Sequence, residues 1–165
     1  MEEKGGKQSL QEEFAHEFQK IENPLFFVAL GYLHNTEEAK DAVQDAALSA
    51  YLGFYKLRSM AYFKTWMTRI VINRCKDLLK KRKYTEELTD QIAVFSNMPT
   101  EDMEIMDALC KLAPSVSRYI TLRFYHDMTY EDVSKLLKQP VSTVKYRTKQ
   151  ALANLKFLIE GEDPV

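Results

Sequence analysis

A chain of 165 residues has room for one domain or two small ones, and a hydrophobic fraction of 45% is ample for folded cores. Its 23 lysines and arginines against 24 aspartates and glutamates leave a formal charge of −1, so total charge alone says nothing about nucleic acid. No apolar run approaches the span of a bilayer, and the N-terminal MEEKGGKQSLQEEF is too acidic and polar for a secretory or transit leader, so a cytoplasmic protein with no direct membrane insertion is expected.

Glycine and proline are few, strand-like alternation is absent and helical spacing recurs, which predicts an all-α protein. From Leu10 to about Leu33, Phe14, Phe18, Ile21, Leu25, Val28 and Ala29 fall at helical spacing. One or two helices are expected there, with Pro24 marking a break or a first turn. Asn35 and Thr36 open a second helix, with Thr36 as its cap and Glu37 and Glu38 complementing the positive end of the dipole. Ala39, Ala42, Val43, Ala46, Ala47, Ala50 and Phe54 form its buried stripe. On another face Asp41, Asp45 and Leu48 stand at i, i+4 and i+7 with Gln44 beside them. That face is either an ordinary solvated surface or the contact for a basic partner helix.

A third long helix is predicted from about Tyr62 to Lys83, with Phe63, Met67, Ile70, Val71, Cys75 and Leu78 inward and Trp66 in the core. Arg69, Asn73, Lys76, Lys80 and Lys83 follow at spacings of four, three, four and three, a row of about 21 Å at 1.5 Å per residue. Between Lys56 and Lys83 ten cations face a single acid, Asp77, while the flanking segments are acidic. Such segregation points to one surface for phosphates and another for a basic protein. The connecting KLRSMAY, residues 56–62, mixes basic, hydroxyl and apolar side chains of the kind that hold an unstacked base.

From Tyr84 to about Met98 periodicity fades and acids dominate. The reading is a first domain over residues 1–83, a linker over 84–100 with a short helix around Leu88 to Val94, and a second domain over 101–165. The second domain opens with a helix from about Glu101 to Leu112, with Met103, Met106, Leu109 and Cys110 inward. Pro114 and Ser115 start another, with Val116, Tyr119, Ile120 and Phe124 inward. Thr129 caps a short helix bearing Val133, Leu136 and Leu137, and Pro140 interrupts the pattern. Ser142 is then expected to cap a longer helix with Val144, Thr148, Ala151, Leu152, Leu155 and Leu158 inward. Two helices around a short turn describe a helix-turn-helix, whose second helix presents Ser142, Thr143, Lys145, Tyr146, Arg147 and Lys149 to a major groove.

No catalytic constellation accompanies these elements. His16, His34 and His126 are scattered, no HExxH, GxGxxG or GKS/T pattern occurs, and Cys75 and Cys110 stand apart as buried reduced thiols. No catalytic residue, metal site or cofactor is expected, and the protein is read as a non-enzyme.

The order of parts resembles the sigma-70 family of bacterial RNA polymerase initiation factors, in particular its extracytoplasmic-function (ECF) type. Residues 36–82, with the D-x-x-Q-D helix and F-x-x-W followed by I-x-x-N-R-x-x-D, look like region 2. Residues 103–158, with L-A-P before T-Y-E-D-V and S-T-V-K-x-R, look like region 4. The resemblance implies that Asp41, Gln44, Asp45 and Leu48 grip core RNA polymerase at its β′ clamp helices, with the β flap as a second contact. It also implies that Arg58, Ser59, Arg69, Asn73, Lys76 and Lys80 serve the melted −10 element, and Ser142, Thr143, Lys145, Tyr146, Arg147 and Lys149 the −35 element. An anti-sigma factor is the implied regulator. The chain departs from the family at Lys138 and Gln139, which replace the usual glycine and apolar residue of the turn. Tyr146 stands where a small residue is common, and Ser59-Met60 where glycine is usual. The alternative reading is a helix-turn-helix regulator that binds operator DNA without polymerase.

Overall fold

The computed structural model describes residues 2–85 and 100–161. The expected linker and the short helix around Leu88 to Val94 fall almost wholly outside them. Among the described residues every regular element is helical: α1 (Glu2–Leu33), α2 (Thr36–Gly53), α3 (Phe63–Thr85), α4 (Thr100–Lys111), α5 (Pro114–Ile120), α6 (Tyr130–Leu137) and α7 (Val141–Glu160). Two 3₁₀ turns, Phe54–Lys56 and Met60–Tyr62, join α2 to α3, and a π-helical turn, Thr121–Tyr125, extends α5.

Helix α1 runs through Pro24 without a break. The proline denies Lys20 its helical donor, but Lys20 is exposed, where water can serve its carbonyl. Leu25, Val28, Ala29, Leu30 and Leu33, all buried, hold the following turns in line. The helix stops at His34, whose positive φ of 55° closes the last turn through its amide to the Leu30 carbonyl. Asn35, not Thr36, then caps α2, its side chain accepting the Glu38 amide at 3.0 Å, while Thr36 is buried.

Small residues on α2 (Ala39, Ala42, Ala46, Ala50) let α1 and α3 approach closely. One end of this three-helix lobe is closed by aromatic edges. Phe14 meets Phe54 at 5.3 Å and Phe63 at 5.7 Å, both near perpendicular, the arrangement that ring quadrupoles favour. Helix α3 buries Phe63, Met67, Val71 and Cys75 as expected, with Ile72 and Thr68 in addition. Trp66 is half-buried against Phe63.

The second lobe packs α4 and α5 across α7, with α6 against α7. Its core holds Met106, Leu109, Tyr119, Ile120, Leu122, Val133, Val144 and Ala151. Phe124 is 50% exposed rather than inward, because the π turn inserts an extra residue and rotates it out while His126 turns in. Thr129 caps α6, accepting the Asp132 amide at 3.1 Å. Ser142 does not cap α7: the helix starts at Val141 after Pro140, whose fixed φ and extended ψ turn the chain, and Ser142 lies in the first turn. Leu152 and Leu158 are exposed, since Leu152 flanks the inward stripe and Leu158 lies near the far end of α7, beyond its buried residues.

Lys138 occupies the left-handed conformation (φ 55°, ψ 49°) at the corner between α6 and α7, which costs a non-glycine residue about 1 kcal/mol. Gln139 is clamped from two sides: Ser134 donates to its carbonyl at 2.5 Å, and the Tyr119 hydroxyl donates to its side-chain oxygen at 2.6 Å. These bonds hold the corner that glycine would otherwise ease.

Candidate nucleic-acid interface

On α3, Arg69, Asn73, Lys76, Lys80 and Lys83 are all exposed and carry no ion pair among the described residues. The other cations of this helix have structural work. Arg74 reaches Asp45 at 3.1 Å, and Arg82 pairs with Glu38 and donates to the Leu33 carbonyl at 3.0 Å. The helix therefore sorts its charges, with one face bound to α1 and α2 and the other left as a cationic row.

The row begins beside the segment joining α2 to α3. There the Ser59 side chain accepts the Ala61 amide at 3.3 Å, fixing the second 3₁₀ turn and leaving Arg58 exposed. Tyr62 projects its ring into solvent at 63% exposure, beside half-buried Trp66. An exposed aromatic ring offers a stacking surface for an unpaired base.

Asp41, Gln44, Asp45 and Leu48 are exposed on the outer face of α2. Asp45 is paired with Arg74 at 3.1 Å, whereas Asp41 has no such partner among the described residues. Sequence reasoning missed that this face continues. Leu52 and Tyr55 stand 68% and 71% exposed, so Leu48, Leu52 and Tyr55 form an apolar line at i, i+4 and i+7 beside the acids. The signal was present in the spacing but masked by the alanine-rich stripe on the opposite side.

Ser142, Lys145, Tyr146, Arg147 and Lys149 of α7 are exposed, and Thr143 is half-buried. Arg147, Lys149, Gln150 and Asn154 line one wall of a cleft of about 900 Å³ whose other wall is Ser115, Val116 and Tyr119 of α5. Burial would raise the Tyr119 phenol, but Arg118 beside it, with Arg147 and Gln139, brings it below the usual tyrosine range, a mark of a locally positive wall. Two further residues join this surface. The Arg123 guanidinium lies 5.0 Å and the Lys145 ammonium 5.7 Å from the Tyr130 ring, so Arg123 and Tyr130 place cations beside the start of the second helix. Nothing in their local spacing distinguished them, because the π turn sets where Arg123 points.

His126 is buried, and burial, reinforced by the Lys64 charge, pushes its imidazole down to about 4. It is therefore neutral near pH 7. Among the described residues no group of His, Cys, Asp and Glu is disposed to hold a metal ion, and no helix is long and apolar enough to cross a membrane.

The geometry thus combines a helix-turn-helix in one lobe with an exposed cationic helix face in the other, two surfaces of a kind suited to phosphates. Residues 18–85 match the family model for sigma-70 region 2, and residues 102–155 match that for sigma-70 region 4. The chain is 26% identical over 143 residues to the RNA polymerase sigma factor SigV of Bacillus subtilis, covering 84% of this chain and 86% of that one. It is also 26% identical over 160 residues to the ECF sigma factor SigW of the same organism, covering 86% of each. Among solved structures it resembles the sigma factor RpoE of Bartonella quintana, crystallised with the anti-sigma factor NepR. That match has a TM-score of 0.74 at 20% identity, over 90% of this chain and 97% of that one. The chain belongs to the sigma-70 family, as a sigma factor of the ECF type.

Proposed function

We propose that the protein binds core RNA polymerase through α2 and directs it to promoters, with the α3 row at the −10 element and α7 at the −35 element. The function is that of a transcription initiation factor, acting in the cytoplasm with no chemistry of its own. The domains follow residues 1–83 and 101–165, joined through 84–100. The observation that carries this reading is the division of charge: an acidic and apolar face on α2, and separate cationic faces on α3 and α7.

The division of labour follows from the energetics. Lys145, Arg147 and Lys149 supply duplex affinity and register through phosphates, while Ser142, Thr143 and Tyr146 lie toward base edges. Arg69, Asn73, Lys76 and Lys80 attract the single strand, and the segment with Arg58 and Ser59 receives an unstacked base beside Tyr62. Stacking on an aromatic ring is worth about 1–3 kcal/mol per base, comparable with the mean loss of about 1.4 kcal/mol per unstacked duplex step. Each lobe alone binds weakly; tethering both to one polymerase multiplies their effect. An anti-sigma factor is the proposed negative regulator, supported by the likeness to RpoE crystallised with NepR. The operator-binding alternative is disfavoured because the N-terminal lobe too matches a sigma-70 region.

Co-elution with core polymerase tests the reading. The wild-type chain should co-elute with core, and Asp41→Lys/Asp45→Lys should not, while keeping its helical circular dichroism. Equal co-elution of the two would remove α2 from the interface.

A further inference from the structure

Helix α7 starts without a side-chain cap, directly after Pro140, which has no amide to donate. Its inward residues near that end, Val144, Thr148 and Ala151, are small and interlock less with their neighbours than long side chains would. What fixes the start of the helix therefore lies in the corner before it. Three bonds tie that corner back to α6: the Lys138 and Gln139 amides donate to the Ser134 carbonyl, and the Ser134 hydroxyl donates to the Gln139 carbonyl at 2.5 Å. The tie to α5 is of another kind. Tyr119, whose ring is buried, donates its hydroxyl to the Gln139 side-chain oxygen at 2.6 Å, and the same hydroxyl accepts from the Arg118 guanidinium at 3.4 Å. The Arg147 side chain of α7 lies beside that hydroxyl as well. One side chain of α5 thus meets both the turn and the second helix of the helix-turn-helix.

The residues proposed to face base edges, Ser142, Thr143 and Tyr146, fall within the first two turns after this corner. Tyr146 lies about 7.5 Å along the helix from Val141, so a tilt of about 15° at the corner moves it by about 2 Å. Good hydrogen bonds span a range of only about 0.5 Å, so a base contact does not survive such a shift. A lysine reaching a phosphate does, because its flexible stem follows. Tilt therefore removes sequence reading before it removes attraction to DNA.

We propose that Tyr119 is a positioning residue for −35 recognition, its hydroxyl fixing, through Gln139 and Arg147, the angle at which α7 enters the major groove. The role rests on the sigma-factor function and on α7 as its −35 reader. Glutamine at the turn is what makes the tie possible, since the apolar residue usual at that place has no acceptor. Gln139 is half-buried, so on losing the phenol its amide turns to water, and the loss falls on orientation more than on stability.

Run-off transcription by holoenzyme, assembled from core polymerase and the full chain, tests this. The templates are the DNA upstream of the chain's own gene and a panel of that DNA with single base-pair changes through the −35 segment. Tyr119→Phe keeps the buried ring and removes the hydroxyl, and Gln139→Met keeps the side-chain length and removes the acceptor. A change at a base pair that α7 reads should lower wild-type initiation by roughly fivefold or more. Each variant should narrow that ratio at least threefold, and Tyr119→Phe/Gln139→Met should narrow it no further than either alone. The slope of promoter binding against log salt should stay that of wild type, a separation that lost stability alone would not produce. Wild-type discrimination in both single variants overturns the role, as does a loss uniform across the panel. Additive narrowing in the double variant overturns the shared tie. A wild type that yields a defined transcript yet ignores every −35 change overturns α7 as the reader and this role with it, whereas no defined transcript at all removes the sigma-factor function on which the role rests.

Discussion

His126 shows what one buried side chain does across a seam. In the unfolded chain it titrates near 6.5, whereas in the fold burial and the Lys64 charge hold it down to about 4. Between those values the unfolded chain binds a proton that the native one refuses. Stability is therefore complete above pH 6.5 and declines as the pH falls toward 4, by about 3 kcal/mol in all. Urea midpoints at pH 7 and pH 4.5 should differ markedly for wild type and much less for His126→Gln, and parallel pH profiles would show that another group controls acid stability. Lys138 offers a second test at this scale. Lys138→Gly relieves the left-handed strain and should raise the melting temperature by about 3 °C; a lower melting temperature would mean that the Gln139 clamp, not the backbone, governs the corner. The sequence narrowed the corner to Lys138 and Gln139, because pattern and proline bracket them, and the structure places Lys138 in the left-handed conformation. It did not show that Ser134 and Tyr119 secure the next residue, since Tyr119 lies twenty positions away.

At the level of elements, periodicity carried far. The stripes of α2, α3 and α6 and the Thr129 cap were legible because each follows from spacing within one helix. Three features escaped for the opposite reason. Pro24 does not break α1 because tertiary burial outweighs the lost bond, Asn35 takes the capping role from a buried Thr36, and the π turn rotates Phe124 outward. Asn35→Ala should cost about 1 kcal/mol, read as an earlier urea midpoint, and an unchanged midpoint would deny the cap its role. The faces proposed for DNA are testable through salt. Lys145→Ala/Lys149→Ala should reduce the dependence of −35-dependent promoter binding on log salt by about 2. An unchanged slope would place these lysines away from phosphates.

The whole molecule joins an acidic, apolar α2 face to separate cationic faces on α3 and α7. The division into two helical lobes was legible in the loss of periodicity after Tyr84. The packing of one lobe on the other was not: Gly31 with Ser117 and Thr68 with His126 are separated by long stretches of chain and carry no shared pattern. The central claim is that α2 docks both DNA-facing surfaces on core polymerase. Run-off transcription on the DNA upstream of the chain's own gene, with core polymerase and either wild type or Asp41→Lys/Asp45→Lys, tests it most directly. A defined transcript with wild type, reduced at least tenfold by the double substitution, is the predicted result. A transcript of equal yield from both proteins would contradict it.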